Sequence, residues 1–154
     1  NVILNRLISI VLMGNSKSII KVNFEDIQSI IQNNKGLIIN VMEKHEQKCL
    51  IKNTIDINEE EHIINNHINN GNTNVNIILY GKNSNDFKIH EKYNQLLQLG
   101  FTNVTIYIGG LFEWMLLQDI YGSENFPTTT NELDILKFKP QKVLFVQRLP
   151  NVTN

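Results

Sequence analysis

The chain reads as an α/β protein: a parallel central sheet with helices on both faces, plus an extension at each end. Three observations predict this. Short apolar runs rich in Ile and Val recur at residues 37–41, 75–80 and 103–108. Between them lie segments whose apolar residues return at three- and four-residue steps, the spacing of one helical face. Strand signals and helix signals alternate along the chain, an order that favours parallel pairing with covering helices.

Taken in order, residues 18–22 read as the first strand. Asn23 ahead of Phe24, Glu25 and Asp26 is a helix N-cap followed by acids that suit the positive helix end. The helix runs to about Gln32 and turns Phe24, Ile27, Ile30 and Ile31 inward. Asn33, Asn34, Lys35 and Gly36 end it, with a glycine in the C-cap region. Residues 37–41 are a buried strand and residues 54–57 a shorter one. Asn58 with Glu59, Glu60 and Glu61 has a capping-box pattern for a helix whose apolar stripe is Ile63, Ile64 and Ile68, ending near Gly71. After the strand at 75–80, residues 87–99 form the next helix, with Phe87, Ile89, Tyr93, Leu96 and Leu97 as inward positions and Gly100 closing it. A strand at 103–108 then leads to a helix at 111–121 that carries Trp114 inward. Residues 123–130 are turn-rich and read as a linker.

The two ends stand outside this alternation. Residues 2–13 are apolar at nearly every position, so periodicity does not separate helix from strand, although their Ile and Val content leans toward strand. Arg6 with the apolar run behind it also has the outline of a weak signal-peptide core. Residues 142–148 are the matching apolar segment at the other end. The expected organisation is an N-terminal extension (1–17), one domain (18–122) and a C-terminal extension (123–154). Ile8, Ile10, Leu12, Val143 and Phe145 are the residues expected to mediate self-association, as a homodimer.

Composition narrows the function classes. A length of 154 residues with 42% hydrophobic content suits one core. Net charge is −1 and the basic residues are scattered, so no nucleic-acid footprint is expected. No apolar run reaches the roughly 18–20 residues of a membrane span, so no membrane partner is expected. The single cysteine, Cys49, excludes an internal disulfide and a cysteine-based zinc cage, and is compatible with a reducing compartment. The expected location is cytoplasmic, meaning host cytoplasm or virion if the chain is viral. The abundance of Asn reads as coding bias, and the Asn-x-Thr matches at Asn103 and Asn151 follow from it by chance.

Chemistry, if any, belongs to residues 76–114. A buried strand there breaks into the polar loop Gly81, Lys82, Asn83, Ser84, Asn85, Asp86 and then a helix, which aims backbone N–H groups and the positive helix end at the loop. Gly100-Phe101, Gly109-Gly110 and Trp114 follow. In this order and spacing the chain resembles the rhodanese-like domain family, from about Lys21 to Trp114. The resemblance implies a loop opened by a cysteine that carries sulfur as a persulfide, its charge held by loop amides. Gly81 stands where the resemblance places that cysteine. Asn40-Val41-Met42 stands where it places Asp-Val-Arg, and Cys49-Leu50-Ile51 where it places Gly-His-Ile. It therefore implies the fold without the reaction.

Other residues offer little in exchange. Ser84 has no His or acid close in sequence to activate it, and Lys82 reads as a solvated charge. Asp86 stands where the family has Arg or another donor; it repels an anion and suits a helix-capping role. A weak anion site at the amides of residues 82–85 is the remaining ligand expectation. Cys49 is expected to be inert. His62 and His67 are five apart and fall on different helix faces, with His45 and His90 remote, so no metal is expected. Gly109-Gly110 lacks the third glycine of a dinucleotide fingerprint and reads as close strand-to-helix packing; no cofactor is expected. Phe112, Trp114, Tyr121 and Phe126 read as core. The run from Phe112 to Leu117 is too apolar for a simple surface helix, so part of it is expected to face a partner.

The expected function is a catalytically inactive protein-binding or assembly module with an unknown protein partner. Two alternatives stand beside it. One is a divergent sulfurtransferase or phosphatase-like enzyme; the other is a structural protein of a viral particle.

Overall fold

A computed structural model describes residues 18–144. Strands β1 (Lys21–Val22), β2 (Leu37–Asn40), β3 (Ile77–Tyr80) and β4 (Val104–Tyr107) form one sheet in the order β1-β4-β3-β2, with every pairing parallel. Helices α1 (Phe24–Asn33), α2 (Ile57–Asn69), α3 (Lys88–Gln98) and α4 (Gly110–Tyr121) cover it. Side chains alternate across a strand, so β3 sends Ile78 and Tyr80 to one face and Ile77 and Leu79 to the other. Ile27 of α1 and Leu111, Trp114 and Met115 of α4 meet the first face, and Ile64 of α2 with Ile89, Tyr93 and Leu96 of α3 meets the second. All four β3 residues are buried because both sides are covered. This is the parallel α/β architecture that the alternation predicts.

Local chemistry sets the boundaries, and several differ from expectation. Asn23 caps α1 in a full capping box with Asp26. At its other end the left-handed cap is Asn34 (φ 53), not Gly36. Gly36 serves another purpose: its φ of 155 is one that side-chain-bearing residues rarely adopt, and a Cβ there would press on Ile30 Cδ1 at 2.7 Å and the Asn76 carbonyl at 3.1 Å. The cap of α2 is Asp56, whose carboxylate accepts the N–H of Asn58 at 2.8 Å. Ile57 is therefore the first residue of α2 rather than a strand residue, and Asn58 lies inside the helix. Of the short strand expected at 54–57, Thr54 alone bridges to Ile38. Phe87 and Leu97, expected inward, are 85% and 40% exposed. The inward stripe of α3 is Ile89, Tyr93 and Leu96, and the positions just off that spacing face outward.

Residues 123–144 are not a passive linker. Phe126 and Phe138 are buried in the first-face core, Thr128 bridges antiparallel to Ile51, and Lys52 donates its N–H to the Pro127 carbonyl at 3.0 Å. Turn-rich sequence here marks a chain that bends repeatedly while its aromatic side chains pack. Among the described residues no helix is long and apolar enough to cross a membrane. Of the residues expected to mediate self-association, Val143 is exposed, and Ile8, Ile10, Leu12 and Phe145 lie outside the described residues.

Candidate functional site

The loop that follows β3 opens at Gly81, which is buried. From there the chain folds onto itself. Asp86 Oδ2 accepts the N–H of Lys82 at 3.1 Å, and Asp86 Oδ1 accepts the N–H of Lys88 at 3.3 Å. One carboxylate thus joins the loop's first amide to the first turn of α3, where its charge suits the positive helix end. The expected capping role of Asp86 is seen, together with a second bond to the loop that the sequence did not disclose.

That second bond explains Gly81. A Cβ at position 81 would lie 2.6 Å from Asp86 Oδ2, 2.7 Å from its Cβ and 2.8 Å from its Cγ. Real side chains do not approach so closely, and the clash reaches the Asp86 Cβ as well as its flexible end. Asp86 thus occupies the space a side chain at 81 would need.

Further contacts hold the loop in place. Asn83 Oδ1 accepts the N–H of Asn85 at 3.0 Å, the Asn83 carbonyl accepts the N–H of Asp86 at 3.2 Å, and Asn83 Nδ2 donates to the Phe138 carbonyl at 2.9 Å. At the start of α4, Leu111 and Phe112 donate their N–H groups to the carbonyls of Gly81 and Lys82, both at 2.9 Å. The approach is so close that a Cβ on Gly110 (φ 65) would lie 2.6 Å from the Gly81 oxygen. Close packing, the reading given to Gly109-Gly110, is what is found, against the loop itself.

Charges at the rim are paired. Lys82 Nζ lies 2.7 Å from Glu46 Oε1, and this hydrogen bond holds the Glu46 carboxyl below its ordinary range. Lys88 pairs with Glu43, which lowers the Glu43 carboxyl and raises the Lys88 ammonium; Asp86 adds to the latter. Of the amides expected to receive an anion, those of Lys82 and Asn85 already donate to side chains of the loop. Ser84 and Asn85 are exposed, and among the described residues Ser84 has no hydrogen bond to a His or a carboxylate. The loop as built contains amide donors, paired lysines and the exposed Ser84 hydroxyl.

Asn40, at the end of β2, is 5% exposed, and its Oδ1 accepts the Met42 N–H at 3.0 Å. A neutral amide serves that turn without an ionic partner. Cys49 is buried in the first-face core, and its Sγ lies 3.5 Å from the Thr130 carbonyl. His45, His62 and His90 are exposed, and His67 bonds Asn72 through a ring nitrogen at 3.1 Å. Among the described residues no group of three His, Cys, Asp or Glu side chains is placed to hold a metal ion.

The family model described as Rhodanese-like domain matches residues 23–117. No curated protein matches the chain. Among solved structures, the Alr3790 protein from Anabaena sp. superposes with a TM-score of 0.52 at 18% identity, covering 75% of this chain and 97% of that one. A full-length protein from Lactobacillus plantarum gives 0.51 at 14% identity, covering 83% and 97%. The BH2092 protein from Bacillus halodurans gives 0.51 at 19%, covering 73% and 81%. At these identities the likeness is one of fold.

Proposed function

Because the chain belongs to the rhodanese-like domain family, we propose that it is a member without sulfur-transfer chemistry that serves as a protein-binding or assembly module. One observation carries this reading. Position 81, where the resemblance places the sulfur-bearing cysteine, is a glycine, and the Asp86 carboxylate occupies the space its side chain would need. A thiolate nucleophile there has neither an atom nor room, and a resident negative charge opposes an anionic substrate. Cys49 does not open the loop after β3, and its thiol is buried in the first-face core. A single buried thiol also accords with a reducing, cytoplasmic setting.

The binding role draws on outward apolar side chains. Leu116, Ile120 and Tyr121 of α4 are exposed, as are Leu133, Leu136 and Val143 beyond it. Homodimerisation through the extensions is the form of assembly this reading favours. Assays of thiosulfate:cyanide transfer and aryl phosphate hydrolysis test the first half: no turnover is expected. Turnover lost in Ser84→Ala or Cys49→Ser would replace the reading with the enzyme alternative. Sedimentation of the full chain against residues 18–144 tests the second half, and a monomer in both removes self-association.

A further inference from the structure

We infer that the β1 edge of the sheet is the seat of the chain's own N-terminal segment: residues 8–13 return along residues 18–22 as an antiparallel strand, through a turn at Gly14, Asn15, Ser16 and Lys17. The inference goes beyond the proposed function and does not depend on it. β1 is the last strand on its side of the sheet. On the other side Thr54 bridges to Ile38, and Ile55 donates its N–H to the Ile38 carbonyl at 2.9 Å, so among the described residues β1 carries the uncovered edge. The Ile20 carbonyl accepts the Ile106 N–H at 3.0 Å, and alternation along the strand therefore turns the Lys21 N–H and C=O away from β4. Backbone groups open in this way are a template for another strand. The side chains at the edge are open too. Ile20 is 63% exposed and lies on the same face as Val22, where a groove of about 380 Å³ is lined by Val22, Ile30, Ile78 and Thr105.

The chain itself selects the occupant. Seventeen residues precede Ser18, which stands two positions before Ile20, so the apolar run at residues 8–13 is joined to this edge by four residues. Closing so short a loop costs little entropy, whereas a second copy seated here loses translational and rotational freedom. Gly14, Asn15 and Ser16 are turn formers, and a four-residue connection is a common hairpin length. Ile8, Ile10 and Val11 are β-branched residues that suit a strand. The register follows from the loop length. Leu12 stands opposite Ile19, Val11 opposite Ile20 and Ile10 opposite Lys21. Because the Lys21 backbone groups face outward, Ile10 and Lys21 exchange both backbone hydrogen bonds, and Val11 and Ile20 form the closer, non-hydrogen-bonded pair on the groove's face.

Amide hydrogen exchange and cysteine pairing in the full chain test this. The Lys21 amide is expected to exchange at least about 100-fold more slowly than an open amide, at every protein concentration, and Ile10→Pro is expected to speed it at least about tenfold. Val11→Cys/Ile20→Cys should close a disulfide within one chain, in a glutathione buffer, at least about ten times faster than Val11→Cys/Lys21→Cys, whose side chains fall on opposite faces. The cysteine pairs decide the matter if Ile10→Pro does not fold. Fast exchange at Lys21, or equal rates for the two cysteine pairs, would overturn the inference. Protection unchanged in a folded Ile10→Pro variant would assign the edge to another segment, such as residues 142–148, and protection that rises with protein concentration or a disulfide between two chains would assign it to a second copy; either result overturns it as well. Self-association in the proposed function is decided separately, by sedimentation.

Discussion

The indole N–H of Trp114 donates to the Pro127 carbonyl at 3.2 Å, tying the middle of α4 to the chain that runs back beneath it. Trp114 is fully buried, edge-on to Tyr107 at 6.4 Å and to Phe126 at 5.0 Å. The core of the first face is thus completed by residues past Gly122. Phe126→Ala should cost about 3–5 kcal/mol in urea denaturation. A chain ended at Gly122 should lose its cooperative transition.

Tyr80 and Tyr107 are paired neighbours in β3 and β4, and their hydroxyls have opposite circumstances. The Tyr80 hydroxyl takes the Ile51 N–H at 3.2 Å and lies 2.8 Å from Thr54 Oγ1; burial pushes its phenol up. Among the described residues nothing stands in hydrogen-bond geometry to the buried Tyr107 hydroxyl, and burial, with the nearby Glu113 carboxylate adding to it, raises its phenol as well. Tyr80→Phe should therefore cost about 1–3 kcal/mol, because the Ile51 amide is left unpaired. Tyr107→Phe should be neutral or stabilising in the same denaturation experiment.

Gly110 and Gly71 share left-handed backbone, with φ of 65 and 67, but not the same surroundings. A Cβ at 71 meets nothing within 4 Å, whereas one at 110 would strike the Gly81 carbonyl at 2.6 Å. Gly71→Ala should cost about 1 kcal/mol from backbone strain alone. Gly110→Ala should cost at least about 2–3 kcal/mol, by adding overpacking at the start of α4.

Glu46 is held below its ordinary value near 4.5 chiefly by its hydrogen bond to Lys82. A lowered carboxyl stabilises the fold fully above the unfolded glutamate range, and the contribution fades as pH falls through the folded value. The pair is partly exposed, so its worth is small, about 0.5–1 kcal/mol. Glu46→Gln should lower stability by that amount at pH 7, and the difference should shrink as pH falls below the ordinary glutamate range, as read by thermal melts at fixed ionic strength.

How much of this was legible in the sequence follows from the range of each interaction. The N-cap at Asn23, the inward positions Ile89, Tyr93 and Leu96, and the burial of residues 77–80 are local or periodic, and they were readable. Asp56 displaced Asn58 as the α2 cap because two polar residues, one on each side of Ile57, both suit that position. Phe126 and Phe138 were hidden in a stretch whose turn chemistry resembles a linker. At the loop, sequence identified the capping aspartate and a glycine, Gly81, where the resemblance places a cysteine. The contacts of Lys82 with Glu46 and Asn83 with Phe138 span long sequence separations that no spacing rule covers. The overlap of Asp86 with the space beside Gly81 requires the loop's path, which residue types alone do not give.

A double-mutant cycle at Gly81 and Asp86 tests most directly whether the space beside position 81 is already filled. Gly81 does not have left-handed backbone, so an added methyl meets only steric opposition. Gly81→Ala is predicted to cost about 1–3 kcal/mol in the wild-type background and little in Asp86→Gly, a coupling of at least about 1 kcal/mol. Equal cost in both backgrounds, or no cost in the wild type, would contradict it, since position 81 would then be open to a side chain.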